Sequence, residues 1–308
     1  VAASTADIRR KGSPTTRARA SPPGQAWAPI VFLAPAVLLC GTFVHAAILE
    51  TMRLSLHQWD GAGPKTWLGL GNYAELLSDP VFYKALLNNI RWTAIFVVAA
   101  PALGLALALL ASQAFPGIRL IRALFFLPFV ISQVVVGLVF AWFFHTEFGL
   151  FNRLLGAIGL PGVAPLESET WAIYAVIGAA LWPQLAYCMI LYLNGLAVLR
   201  RELIDAARLD GATNWQLLRH VILPQLRPVT FIVVMVCAVS ALRSFDFVMV
   251  MTLGGPYDSS NVLAFYMFEQ TFTGFRYGYG AAIATVLFLL MWTCIGAALW
   301  RMLRGERR

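Results

Sequence analysis

The chain has 308 residues, 59% hydrophobic and 12% charged, with a mean hydropathy of +0.72. A soluble domain carries about 25% charged residues, so a water-soluble globular enzyme is excluded, as is disorder over most of the length. The net charge of +8 would suggest nucleic acid in a soluble protein, but here its distribution along the apolar runs matters more, and no nucleic-acid partner is expected.

The first 25 residues are rich in Ser, Thr, Pro, Ala and Arg and lack an apolar period, which predicts a flexible basic tail followed by a single membrane domain over residues 26–308. About 20 apolar residues span a bilayer as helix, and six such runs follow. They are Trp27 to Leu49, Asn88 to Ser112 with a kink at Pro101, Ile118 to Phe144, Trp171 to Leu199 containing Trp182-Pro183, Pro228 to Met251, and Tyr277 to Leu299. These are long runs rather than short alternating segments, so helices are expected and a barrel is not. Between the first two, residues 72–87 mix apolar and charged positions. Asn72 with Glu75 reads as a helix start, giving either a short amphipathic helix or a packed loop.

Orientation follows from the Lys/Arg bias. Sixteen basic residues lie in the N-terminal tail, the 113–122 connection, residues 200–227 and the C-terminal tail. The three opposite loops hold Arg53, Lys65, Lys84 and Arg153. This places both termini in the cytoplasm of an all-α, multi-pass protein. The four cysteines, Cys40, Cys188, Cys237 and Cys294, sit inside apolar runs and read as small core filler without a disulfide framework.

Residues 200–228 (RRELIDAARLDGATNWQLLRHVILPQLRP) are unusual between two spans. Glu202 to Leu209 are good helix formers, Gly211 can end that helix in a left-handed conformation, and Thr213 with Gln216 forms a capping box. Leu217, Leu218, Val221 and Ile222 supply an apolar side, and Pro224 and Pro228 stop or bend the chain. Two short helices joined at a glycine fit a docking element for a cytoplasmic partner or an interfacial helix on anionic lipid.

The stretch resembles the EAA loop of ABC importer permeases: Asp205-Ala206-Ala207, three residues ending in Asp210, Gly211, nine residues, then Val221-x-Leu223-Pro224. Asp replaces the motif Glu and Val the motif Ile. Further likenesses, Gly71-Asn72-Tyr73, Leu127-Pro128, Gly149 with Asn152, and Phe245-Asp246 ahead of Gly254-Gly255-Pro256, are those of the carbohydrate, maltose-transporter-type branch. The resemblance implies a type I permease fold in the bacterial cytoplasmic (inner) membrane. It also implies a heterodimer with a second permease, two ATP-binding subunits and an extracytoplasmic solute-binding protein. Asp205, Ala206, Ala207, Asp210, Gly211, Leu223 and Pro224 would form the coupling element.

Polar groups inside spans are costly and tend to be functional. The fifth run contains Ser240, Arg243, Ser244 and Asp246. At i and i+3 on one helix, Arg243 and Asp246 would share a face, either as an intramembrane ion pair or as a wall that bonds sugar hydroxyls. The resemblance adds Phe129, Gln133 and Gln184 to Ser240, Arg243 and Asp246 as substrate contacts. Phe129 is a stacking platform or core packing. An Arg243 not neutralised by Asp246 would favour an acidic or sulfonated sugar.

No Gly-x-x-x-x-Gly-Lys-Ser/Thr loop occurs, so ATP and Mg are expected on a partner and no enzyme activity on this chain. His45, His57, His145 and His220 are scattered, and neither a metal nor a cofactor is expected. The sequence therefore reads as the permease subunit of an ATP-driven, binding-protein-dependent sugar importer, with an ion-gradient-driven secondary transporter as the alternative.

Overall fold

A computed structural model of the chain describes residues 28–113 and 116–305. The basic tail over residues 1–25 and Arg307 and Arg308 lie outside them. The described residues form two units divided between Leu49 and Glu50.

In the first unit, α1 (Ala28–Leu39) passes through a π-helical turn over Cys40–His45. Thr42 Oγ1 donates to Leu38 O there at 2.8 Å, and His45 Nδ1 lies 2.9 Å from Cys40 O. The helix then runs into α2 (Ala46–Leu54).

The second unit begins with the end of α2 and a two-residue antiparallel ribbon, β1 (His57–Gln58) with β2 (Thr66–Trp67). The sequence between it and the next span differs from expectation. Residues 72–87 are not one helix but α3 (Gly71–Leu76) followed by the first turns of α4 (Pro80–Ser112). Asp79 caps α4, accepting from Val81 N at 2.9 Å, with Pro80 at the first helical position, the arrangement that starts helices best. A short helix does begin here, one residue before Asn72, but Asn72 lies in its first turn and does not cap it. The buried Asn72 amide instead donates to the carbonyls of Ser55 (2.8 Å) and His57 (2.9 Å), fastening α3 to the preceding chain.

At 33 residues, α4 is about 50 Å long and packs on α8 (Ala172–Ala197) and α12 (Arg227–Leu242). The contact with α8 is close because Gly104 faces Cys188. A Cβ on Gly104 would lie 2.4 Å from the Cys188 Cβ, so this small residue sets the helix separation. Trp92, Phe96, Ile173, Val176, Tyr192 and Val233 fill the resulting core. A second core joins Leu263 of α14 (Leu263–Phe268) to Tyr279 and Ile283 of α15 (Tyr277–Gly305).

Two of the six runs are not single straight helices. The third divides into α5 (Ile118–Val130) and α6 (Gln133–Phe143), bent by 97°. Ile131 and Ser132 are extended there, three residues after Pro128, which cannot donate a backbone bond. The fifth ends at Leu242 and restarts as α13 (Asp246–Met251). Arg243 and Asp246 therefore flank a break and do not lie at i and i+3 of one helix. The Ala241 carbonyl at the break accepts from Ser244 Oγ at 2.7 Å, Ser244 N at 3.3 Å and Asn89 Nδ2 of α4 at 3.3 Å, as an apolar environment requires.

Among the described residues, four helices are long and apolar enough to cross a membrane, or up to six if each bent pair is one span. The second bent pair (71°) joins α12 to the helical turns over Asn214–Gln225.

Candidate functional site

All six residues singled out for substrate line one cavity of 660 Å³. Phe129 ends α5, Gln133 opens α6, Gln184 lies on α8, Ser240 and Arg243 end α12, and Asp246 opens α13. The helix breaks are what bring them together. At 131–132 and 243–245 the chain turns and aims successive side chains at one space, which straight helices could not do.

Phe129 stacks on Tyr187, with ring centroids 5.1 Å apart and planes at 25°. Both rings line the cavity, so Phe129 belongs to an aromatic wall. Tyr187 was missed in the sequence because an aromatic within an apolar run reads as packing. Its position three residues after Gln184 was the available signal. Trp92 and Ser244 also line the space.

Gln184 is only 9% exposed and its amide is engaged. It accepts from Ser240 Oγ at 3.2 Å and donates to Cys237 Sγ at 3.3 Å. Cys188 and Cys237 stand with their sulfurs 3.5 Å apart, both free and buried. Both thiols are fully buried members of the core between α8 and α12, as expected, and Gln184 joins the two helices beside them.

Arg243 is exposed and Asp246 half-buried. Among the described residues neither side chain makes an ion pair or hydrogen bond, so the intramembrane pair is absent. Five guanidinium donors and a carboxylate acceptor remain open to the cavity.

Asn88 and Asn89 of α4, unnoticed at the start of the second run, hold its surroundings. Asn88 Nδ2 donates to Ser259 O (2.7 Å) and Asn261 O (2.9 Å), while Asn89 Oδ1 accepts from Leu263 N (2.8 Å). Asp79 accepts hydrogen bonds from Tyr266 and, at 2.6 Å, Tyr279. Burial raises its pKa, but the tyrosine hydroxyls and the amides of Val81 and Phe82 outweigh that and hold the carboxyl below its ordinary value. Nearby, Glu75 grips Arg276 through both carboxylate oxygens at 2.5 and 2.6 Å.

The 200–228 segment forms as expected, with differences of detail. Asp205, Ala206 and Ala207 lie on α9 (Arg201–Leu209). Gly211 has φ +79°. The helix end is a complete Schellman closure, with Ala212 N to Ala207 O at 3.0 Å and Gly211 N to Arg208 O at 3.1 Å; Asp210 precedes it as the capping residue.

Thr213 and Gln216 make the capping box of α10 (Asn214–Leu217), with bonds of 3.3 and 2.8 Å. A π-helical turn (Leu218–Ile222) leads to α11 (Leu223–Gln225), where Pro224 occupies the first turn. The apolar side differs from expectation. Leu217 is buried and Leu218, Val221 and Ile222 are half-buried, whereas the exposed apolar residues are Leu203, Leu209 (89%) and Trp215 (67%). Of the half-buried ones, Ile222 packs against the bundle core, where the π turn and α11 lead the chain into α12.

No group of three or more His, Cys, Asp or Glu that could hold a metal ion occurs among the described residues.

The profile of the family described as "Binding-protein-dependent transport system inner membrane component" matches residues 90–304. The chain is 36% identical over 282 residues to a probable ABC transporter permease protein of Pyrococcus horikoshii, covering 91% of this chain and 97% of that one. It is 32% identical over 280 residues to the sulfoquinovosyl glycerol transport system permease protein of Agrobacterium fabrum, covering 90% of each. A bacterial alginate ABC transporter, solved in complex with an alginate pentasaccharide-bound periplasmic protein, superimposes with a TM-score of 0.79 at 20% identity, over 89% of this chain and 93% of that one. The likeness shows a shared fold. This chain belongs to the binding-protein-dependent ABC importer permeases, the inner-membrane components of such transport systems.

Proposed function

We propose that the chain forms half of the translocation path of an ATP-driven importer for a sugar or sugar derivative, and that it couples ATPase closure to alternating access. One observation carries this. The six polar and aromatic residues chosen from the sequence line a single cavity, and two of them, Arg243 and Asp246, bring unspent hydrogen-bonding capacity to it. A sugar hydroxyl can accept from the first and donate to the second. The sulfoquinovosyl glycerol relative supports a sugar-class ligand.

The bent pairs count as spans in this reading, giving six with both termini cytoplasmic. A second permease completes the path, two ATP-binding subunits carry ATP and Mg, and an extracytoplasmic binding protein delivers the ligand. One ATPase docks on Asp205, Ala206, Ala207, Asp210 and Gly211, with Leu203, Leu209 and Trp215 as its apolar contacts. Leu223 and Pro224 pass the motion on. The lever is α12, which starts at Arg227 where the loop ends, carries Ser240 about 20 Å further along and ends against Arg243. A rotation imposed at one end moves the cavity wall at the other, and ATP binding shifts the population between access states.

Arg243 sharpens the ligand. A sugar bearing a carboxylate or sulfonate gains a charge-assisted bond from it. The test is uptake by the reconstituted complex with neutral and anionic sugars. Arg243→Gln is expected to abolish the anionic preference, and Asp246→Asn to slow uptake of both by about tenfold or more, the usual range for a hydrogen bond to a charged group. Uptake of neutral and anionic sugars alike that survives Arg243→Gln overturns the anionic assignment.

A further inference from the structure

A groove of 470 Å³ lies beside the end of α12 that joins the coupling loop, lined by Arg219, Leu223, Pro224, Arg227, Phe231 and Val234. Leu223 and Pro224 belong to the coupling path proposed above, but that function places nothing in the groove itself. At 100° per residue, Arg227, Phe231 and Val234 fall within one 60° sector of α12. The substrate cavity takes Met235, Val236, Val239 and Ser240 from the helix; Val236, Val239 and Ser240 fall on the opposite side and Met235 at its edge. The two spaces share no lining residue and open on different faces of α12.

The groove's chemistry is divided. Its rim holds two exposed guanidinium groups, neither of which has an ion pair or hydrogen bond among the described residues. Its floor follows α12 through Phe231 and Val234, the start of an apolar run. The matching ligand carries a negative charge at one end and hydrocarbon at the other, and lies along a membrane helix with its head at the boundary. Basic pockets between membrane helices on the cytoplasmic side bind such head groups. Thr230 is the single polar side chain of the groove besides the arginines, so charge is confined to the rim and hydrocarbon to the floor.

We infer that this groove binds one anionic phospholipid, its phosphate between Arg219 and Arg227 and an acyl chain along Phe231 and Val234. The lipid would rest against α12 at the root of the coupling loop.

The test is native mass spectrometry of the intact complex, extracted from vesicles of phosphatidylcholine with phosphatidylglycerol. It reads both retained lipid and retained ATPase subunit. The wild type is expected to keep phosphatidylglycerol selectively. Arg219→Gln with Arg227→Gln is expected to retain it about fivefold less for each arginine removed, with the ATPase still bound. Val234→Trp fills the groove without touching a charge or the loop, and is expected to lose the lipid as well. The assignment is overturned if phosphatidylcholine is held equally, or if the double variant keeps the lipid. It is also overturned if the double variant sheds the ATPase while Val234→Trp still keeps the lipid, since the arginines then belong to the protein contact.

Discussion

The cavity and the coupling loop sit at the two ends of one helix, α12, and solve opposite problems. In the loop, backbone ends are closed locally: the Schellman bonds finish α9, the Thr213–Gln216 box opens α10, and Gln225 ties Arg200 N to Val221 O. Outward it presents charged side chains, among them Arg201, Asp205, Arg208 and Asp210, with two large apolar ones, Leu209 and Trp215, exposed between them. In the cavity the helices are broken, and charged groups are left open inside the bundle. A locally finished element that exposes large apolar side chains among charged ones suits a protein contact. An unfinished polar wall suits a ligand that stays briefly and supplies the missing bonds itself.

Substitutions can break this contrast. The largest effect is expected from Gly211→Pro. Proline holds φ near −65° and has no N–H, whereas Gly211 sits at +79° and donates to Arg208 O. Binding-protein-stimulated ATPase should fall at least tenfold while the assembled complex is retained. Gly211→Asn, which tolerates the left-handed region, should recover much of it. Equal activity in the proline variant would mean that the joint carries no motion.

Next comes Gln184→Leu, which leaves the Ser240 hydroxyl without its acceptor. The desolvation cost of about 1–3 kcal/mol should slow uptake by roughly tenfold and leave ATPase docking unchanged. A loss of docking instead would join the two regions into one structural unit.

Asp79 lies outside both regions and sharpens the comparison. Asp79→Asn removes the charge from two tyrosine bonds, each worth about 1.5–3 kcal/mol when charge-assisted. Melting temperature should drop by several degrees with sugar selectivity unchanged. Because its folded pKa is lowered, its contribution is complete above the ordinary carboxylate range and fades as pH falls through the lowered folded value. The gap between wild type and variant should therefore close in acid, and a gap that widens there would refute the assignment.

The smallest effect is expected from Thr213→Ala. Losing the cap costs about 1 kcal/mol, which should show as a severalfold loss of coupling efficiency without loss of uptake specificity.

The loop was largely legible in the sequence because its signals are local. Gly211, Thr213 and Gln216 each fix a conformation within a few residues, and the motif spacing named the family. The cavity was legible in its members but not in its architecture. Polar residues in an apolar run announce themselves, yet the break at 243–245 depends on Asn89, more than 150 residues away, meeting the Ala241 carbonyl. Tyr187 carries no polar anomaly beyond its hydroxyl, and an aromatic in a span defaults to packing. The misread stretch at 72–87 held a usable signal, since Asp79-Pro80 is a cap followed by proline at the first helical position. Asn72 looked like a cap because its actual partners, the Ser55 and His57 carbonyls, are distant in sequence.

The central claim is that an ATPase bound at the loop drives sugar through the cavity. Uptake by proteoliposomes holding the co-purified complex tests it most directly, with ATP inside, binding protein and sugar outside, and ion gradients collapsed by ionophores. The account predicts that uptake and ATP hydrolysis rise together on adding loaded binding protein, and that both are lost in Gly211→Pro. Uptake that proceeds without ATP and follows an imposed ion gradient would contradict it.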